Sequence, residues 1–141
     1  MKKITPVLLF AFAMLASSCA SPTKQFSKRL RGTWQVANYD VERPNTRSAS
    51  ASVTDFGSIT FNKNGTGSLE NASIFDNLTS GSRNSAGRYD FRWSNTENIV
   101  VLREEGSIIS KSWIVITNKK SQQVWKSTDG TNQVKTIELR R

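Results

Sequence analysis

The sequence predicts an all-β domain that folds as an eight-stranded antiparallel up-and-down β-barrel. Short runs rich in β-branched and aromatic residues recur along residues 31–141, and turn signals separate them. Apolar and polar residues alternate within several of these runs, as in strands with one buried face. The connections between the runs also alternate between short and long, which distinguishes the two ends of the predicted barrel.

Eight segments have strand character, and two turns support their pairing. Asn64-Gly65 is the strongest short-range hairpin signal, because a type I′ turn needs positive φ at both central positions. Asp129-Gly130 is a second turn of this kind. In "RYDFRWS" the side chains of Tyr89, Phe91 and Trp93 share one face, whereas "NIVVL" and "WIVI" are apolar at successive positions and parity does not orient them. The predicted strands are residues 33–41, 57–62, 66–71, 88–94, 98–104, 111–118, 122–127 and 133–139.

The lengths of the connections predict a cup. Connections two, four and six are the short "KNG", "NTE" and "KKS", whereas connections one and three span residues 42–56 and 72–87. In an up-and-down sheet these two sets lie at opposite ends. Closure of the sheet removes exposed strand edges. We therefore expect one tight end and one loop-rich mouth.

Gly32 and Trp34 begin the first strand at the tight end. The indole of Trp34 is predicted to plug the barrel floor, and Gly32 lets the incoming chain bend beneath it. The last strand returns to the same end, so Arg140 or Arg141 could stack on the indole. The alternative is that Trp34 is an ordinary core aromatic.

The N-terminus predicts export and lipidation. Lys2 and Lys3 precede the apolar residues 4–15, which are too few to span a membrane and have the proportions of a secretory signal. "ASSC" resembles a bacterial lipobox, and Cys19 is the only cysteine in the chain. We expect a signal peptide at residues 1–18 and acylation of Cys19 by a chain such as palmitate. Ordinary cleavage after Ala20 is the alternative.

Residues 19–30 are predicted to be the acylated cysteine and a basic tether, and residues 31–141 the barrel domain. Lys24, Lys28, Arg29 and Arg31 carry charge there, and residues 20–31 contain no carboxylate. The tether could contact an anionic membrane or be a solvated linker. The whole chain is basic, with a formal net charge of +9. For an exported protein, solubility and a membrane surface explain this charge better than nucleic acid.

The sequence resembles the short lipocalin-like lipoproteins of Bacteroidetes-type bacteria. The resemblance lies in Gly32-Thr33-Trp34, the hairpin "ITFNKNGTG", "YDFRW", and Arg140 or Arg141 as the arginine that packs on the tryptophan. It implies an eight-stranded barrel and suggests binding of a small apolar molecule. The side chains expected to line that site are Phe61, Leu69, Tyr89, Phe91 and Trp93.

The third connection, residues 72–87, is long enough to supply a lid. Ser73 and Asp76 resemble a capping box, which would start one helical turn exposing Ile74 and Phe75. The turn could cover the mouth or be a packed loop. An eight-stranded barrel can also be filled by its own side chains, which leaves no room for a ligand.

Catalysis is not expected. The chain has no histidine, and an acylated Cys19 would offer neither a thiol nucleophile nor a metal ligand. We expect no cofactor and no metal.

The sequence therefore predicts a membrane-anchored carrier of a small apolar ligand. The alternative is a filled, non-catalytic barrel that docks an envelope protein partner. Ala20 follows Cys19, in place of the aspartate associated with inner-membrane retention, and the tether lacks an acidic run. We expect the outer membrane, with the domain facing the periplasm.

Overall fold

The structure, a computed structural model, describes residues 21–43, 51–54, 57–70, 87–128 and 133–141. Within these residues it contains one helix and nine strands. They are α1 (Pro22–Leu30), β1 (Gly32–Glu42), β2 (Ala51–Thr54), β3 (Ser58–Phe61), β4 (Thr66–Glu70), β5 (Tyr89–Asn95), β6 (Ile99–Glu104), β7 (Ser110–Asn118), β8 (Gln122–Thr128) and β9 (Val134–Arg140).

The strands form one closed, all-antiparallel, up-and-down barrel, so the predicted fold is confirmed. Neighbours in sequence are neighbours in the sheet from β3 to β9, and β9 returns to pair with β1 from Gln35↔Arg140 to Glu42↔Val134. This last pairing closes the barrel. Eight strand positions surround the core, as the sequence predicts.

The second strand position is occupied by two strands, β2 and β3. One edge of β1 pairs first with β3, from Gly32↔Phe61 to Gln35↔Ser58, and then with β2, from Asn38↔Thr54 to Val41↔Ala51. The prediction that residues 42–56 form a long loop is therefore wrong for residues 51–54. At the break between the two strands, Gly57 has φ +67° and its carbonyl accepts a hydrogen bond from Val36 N–H at 3.0 Å.

The prediction placed a basic tether at residues 19–30. Within that segment the structure has helix α1, Pro22–Leu30. Ser21 caps the helix by accepting a hydrogen bond from Lys24 N–H, and Pro22 stands in the first turn, where its missing N–H is not needed. Phe26 and Leu30 lie one turn apart, and both are buried in the barrel's core cluster. The domain therefore begins before residue 31.

Helix α1 lies across the end of the barrel where the connections are short. There the strand pairs β3–β4, β5–β6 and β7–β8 are joined by residues 62–65, 96–98 and 119–121, as predicted. We call this the short-loop end. Asn95 ends β5 and bonds to Ser27 Oγ at 2.6 Å and to the Thr23 carbonyl at 3.2 Å. Arg29 donates to the carbonyl of Asn118, the last residue of β7, at 3.2 Å.

The opposite end is the long-loop end, where β1, β4, β6 and β8 finish. It includes the connections 43–50 and 71–88, whose residues 44–50 and 71–86 are outside the described part of the chain. The predicted lid with Ile74 and Phe75 therefore lies outside the described residues, as does the predicted lipidation site Cys19.

A register shift in β1 decides which side chains reach the core. Trp34 and Val36 point inward, the pairing with β9 shifts between Val36 and Asn38, and Tyr39 is then the next buried residue. A bulge of this kind changes the side-chain parity along the strand. In β7, Trp113 is buried whereas Ile114 and Ile116 are exposed, which orients the "WIVI" run.

Candidate functional site

Trp34 lies beneath helix α1 at the short-loop end and is fully buried. Its indole Nε1–H donates to the Leu30 carbonyl at 2.7 Å, so the polar edge of the ring is satisfied at the helix C-terminus. Phe26 and Leu30 pack into the same cluster. Helix α1 and the indole of Trp34 together therefore form the floor of the barrel at the short-loop end.

Arg141 completes this floor from the far end of the chain. Its guanidinium carbon lies 4.0 Å from the centroid of the Trp34 ring. The same side chain donates to the carbonyls of Arg29 at 3.1 Å and Leu30 at 3.3 Å, and also to that of Arg31. Burial lowers the pKa of Arg141, which still remains charged at ordinary pH.

Gly32 and Arg140 flank this stack. Gly32 has φ +102°, a backbone conformation that favours glycine, and a Cβ there would lie 3.3 Å from Arg141 Nη2. Arg140 points elsewhere and pairs with Glu138 at 2.8 Å. Of the two terminal arginines, Arg141 therefore lies on the indole.

An aromatic cluster fills the barrel above the floor. The ring of Phe61 makes edge contacts with Phe91 at 5.6 Å, Trp93 at 5.4 Å and Trp125 at 5.8 Å between centroids. Phe61, Phe91 and Trp125 are at most 1% exposed. Trp93 is half-buried, and its Nε1–H donates to the carbonyls of Asn62 and Thr66 at the β3–β4 turn. These rings pack on one another and leave little of their surface to a ligand.

Gly67 lets Phe91 fit against the wall. The two residues are paired in register between β4 and β5. A Cβ on Gly67 would lie 2.3 Å from Phe91 Cζ and 2.5 Å from the Thr60 carbonyl oxygen. Only glycine leaves room for the ring, so Phe91 has a structural role.

The predicted ligand-binding side chains are thus divided along the barrel axis. Phe61 and Trp93 lie toward the short-loop end, and Phe91 lies above them. Leu69 and Tyr89 are paired across β4 and β5 near the long-loop end, where Leu69 is buried and Tyr89 half-buried. The structure does not bring the five together around one cavity among the described residues.

Near the long-loop end the inner face of the barrel carries polar side chains among the apolar ones. Lys135 is 3% exposed and shares the inward parity of Ile137 and Leu139 on β9. Ser127 on β8 is its register partner and is also buried, with its hydroxyl donating to the Ser112 carbonyl at 2.8 Å. We call this region, which comprises Glu104, Lys111, Ser127 and Lys135, the polar layer.

Two further charged side chains belong to the polar layer. Lys111 shares the parity of Trp113 on β7, and its Nζ lies 5.4 Å from the centroid of that ring. Glu104 ends β6 opposite Phe91 and is half-buried. The polar layer thus comprises Glu104, Lys111, Ser127 and Lys135, beside Tyr89. Its charge is net positive.

Sequence reasoning missed Lys135 although the signal was present. The run "VKTIEL" places Lys135 on the same face as Ile137 and Leu139, so the alternation that identified those core residues also turns the lysine inward. A lysine is almost never fully buried unless it is paired, which makes such a position informative. Lys135 does make interactions within the protein.

The outer wall carries an apolar patch beside a groove. Ile114 and Ile116 are 55% and 58% exposed on β7, and Ile108 in the β6–β7 connection is 97% exposed. The adjacent groove has a volume of about 330 Å³ and is flanked by Arg92 and Arg103. The groove is lined by Arg92, Trp93, Ser94, Val101, Arg103, Ile108 and Ser110.

No group of three or more histidine, cysteine, aspartate or glutamate side chains in the described part of the chain is placed to hold a metal ion. None of the helices in the same part is long and apolar enough to cross a bilayer.

Comparisons with known proteins concern the fold only. No protein-family model matches the chain, and no curated protein matches it. Among solved structures, the chain is similar to a redesigned β barrel, with 11% identity over 82% of this chain and 93% of that chain, at a TM-score of 0.46.

Proposed function

We propose that this protein is a lipid-anchored envelope protein whose barrel binds a small amphipathic molecule at the long-loop end. The observation that carries the proposal is Lys135, a lysine on the inner face of a barrel and 3% exposed. Together with Lys111 it offers cations to an acidic group. The role of Lys135 rests on its position, because the side chain already interacts within the protein.

The aromatic cluster limits the depth of such a site. Phe61, Phe91 and Trp125 occupy the interior below the polar layer, so a long apolar chain would have to displace them. The ligand therefore binds above these rings, with its acidic group at the lysines and its apolar part toward the long loops. A small molecule with one charged group fits this arrangement better than a purely apolar one.

Native mass spectrometry of the protein incubated with a lipid extract tests the proposal. We expect a stoichiometric added mass that is lost in Lys135→Met and kept in Lys126→Met, because Lys126 is exposed on the outer face of the neighbouring strand β8. A urea melt confirms that each variant is folded. Equal retention in both variants, or a bare mass across all lipid classes, would count against binding at the polar layer.

The membrane anchor is part of the proposal and rests on the sequence. Cys19 closes the apolar N-terminal segment and is the only cysteine. We place the protein at the outer membrane, facing the periplasm, as a non-catalytic member of the lipocalin-like lipoproteins that it resembles. Mass spectrometry of the membrane-extracted protein should show acyl chains on Cys19, and these chains should be absent from Cys19→Ser.

A second candidate function is docking of an envelope protein partner by a filled barrel. It is supported by the packed aromatic interior and by the exposed side chains of Ile114 and Ile116, which lie two residues apart on the outer face of β7. Replacement of both isoleucines with threonine should abolish cross-linking to that partner, whereas Ser112→Thr on the same outer face should not. Unchanged cross-linking would exclude this patch as the docking surface.

A further inference from the structure

The short-loop end is the most cationic part of the described chain. Exposed lysines stand on helix α1 and on two turns, and few carboxylates accompany them. The carboxylate of Glu138 is already paired with Arg140. The cations are Lys24, Lys28, Arg29, Arg31, Lys63, Lys119, Lys120, Arg140 and Arg141, and the carboxylates are Glu97 and Glu138.

Among the described residues, the long-loop end has no such excess. Its cations and carboxylates are mixed, and two pairs form ion pairs: Arg88 with Asp90 at 3.2 Å and Arg92 with Glu105 at 3.3 Å. Charge is therefore distributed unequally along the barrel axis. A negatively charged surface would attract the short-loop end first.

Helix α1 presents a cationic face away from the barrel. Phe26 and Leu30 are buried beneath it, whereas Lys24 and Lys28 are exposed one turn apart. The helix is held across the short-loop end by Asn95 at one strand end and Asn118 at another. Among the described residues, its cationic face is therefore exposed at the short-loop end.

The predicted lipid site lies close to this face along the chain. Pro22, the first residue of α1, follows Cys19 by three residues, and three extended residues span at most about 11 Å. This distance is about one Debye length at physiological salt, within which charges on a surface still act on one another. A tether of twelve residues would have allowed the barrel to leave the bilayer, whereas a three-residue link does not.

We infer that the short-loop end, with helix α1 outermost, docks on an anionic phospholipid surface and holds the barrel axis upright with the long-loop end directed away from the bilayer. The occupant of this surface is the bilayer in which the acyl chains are inserted. The inference adds an orientation to the proposed anchor and rests on it for the nearness of the membrane. The cationic face itself does not depend on acylation and can be tested without it.

Flotation of the full chain carrying Cys19→Ser, with vesicles of phosphatidylcholine alone or with 30% phosphatidylglycerol, tests this docking. The Cys19→Ser background removes acylation, and residues 4–15 are the same in every variant. Lys24→Gln/Lys28→Gln removes two charges from helix α1, and Arg103→Gln/Lys126→Gln removes two from the outer wall. Thermal melts check that both double variants are folded.

We expect the helix variant to lose up to about 25-fold in partitioning onto phosphatidylglycerol vesicles, because each lysine near an anionic surface contributes a factor of about five. The wall variant should lose no more than about twofold. Neither variant should change binding to phosphatidylcholine, and ~0.5 M salt should abolish the difference.

Equal losses in the two double variants would overturn the inference, because net charge and not the helix face would then govern binding. Absence of any preference for phosphatidylglycerol would also overturn it and would leave the cationic end for a protein partner. Neither result bears on the anchor, which is decided separately by the mass of Cys19 in the membrane-extracted protein. A missing acyl group would contradict the proposed anchor and leave the vesicle result standing.

Discussion

Replacement of Phe26 with alanine tests whether residues 22–30 belong to the folded domain. Phe26 is 1% exposed and lies in the core cluster with Leu30 and Trp34. An aromatic side chain buries roughly 150–250 Å², which at ~25 cal/mol/Å² corresponds to ~4–6 kcal/mol, and measured Phe→Ala losses in cores are ~3–5 kcal/mol. We expect a loss of about 3 kcal/mol in the free energy of unfolding.

The lower end of that range is expected because helix α1 is a short terminal element. Its nine residues can detach while the barrel stays closed, so the loss cannot exceed the free energy of docking the helix. Detachment would also remove Leu30 from the barrel end and with it the acceptor of the Trp34 N–H. Tryptophan fluorescence should therefore change before the β-sheet circular dichroism signal does.

The assay is urea unfolding followed by both signals, with Lys28→Ala as the matched control. Lys28 lies on the exposed face of the same helix, and its loss should cost less than about 0.5 kcal/mol. A Phe26→Ala loss below about 1 kcal/mol, equal to that of the control, would refute the view that this helix is part of the core.

Three further predictions follow from the core and from β9. Trp34→Ala should lower the free energy of unfolding by ~3–5 kcal/mol in urea melts, and a loss under ~1 kcal/mol would contradict its role as a floor residue. Gly67→Ala should lower the free energy of unfolding by at least ~1–3 kcal/mol by overpacking against Phe91, and an unchanged or raised melting temperature would contradict this. Hydrogen bonds from Arg140 and then from Gln122 lower the pKa of Glu138, so its ~0.2–1 kcal/mol contribution to stability is present at neutral pH and is lost as pH falls through the folded-state pKa. The stability difference between wild type and Glu138→Gln should therefore shrink as the pH falls through the folded-state pKa of Glu138 and vanish below it, and a difference that grows on acidification would contradict this sign.

The barrel could be predicted from sequence because its strongest signals are local. The Asn64-Gly65 turn and the alternation through Phe91 depend only on neighbouring residues, and the structure has a hairpin and an inward-facing ring at these positions. The loop asymmetry then followed from connection lengths. None of these inferences required knowledge of distant contacts.

The features that were missed depend on tertiary context. Parity along β1 fails after Val36, since a bulge turns Tyr39 inward, and no local signal marks the extra residue. Helix α1 carries a cap and two apolar residues one turn apart, but without the barrel end beneath Phe26 that pattern also suits a linker. A short apolar face becomes a helix signal only when a surface exists to bury it.

The candidate site was only partly predictable for the same reason. Aromatic residues on one strand face suggested a ligand pocket, but whether Phe61 and Phe91 line a cavity or fill it depends on how rings from three strands meet. Lys135 could have been placed by parity. That Lys135 lies beside a second buried polar residue, Ser127, depends on how β8 and β9 pair and could not be read from parity.

Closure of the sheet by β1 and β9 has a consequence for how the chain folds. The strand that is synthesised first pairs with the one that is synthesised last, and Arg141 bonds to the Arg29 carbonyl across 112 residues of sequence. Contacts of such high contact order form slowly, because a large loop must be closed before they contribute stability. Until β9 is complete, β1 and β8 remain open edges that can pair with other chains, so truncation of the last strand should yield aggregates and not a smaller barrel.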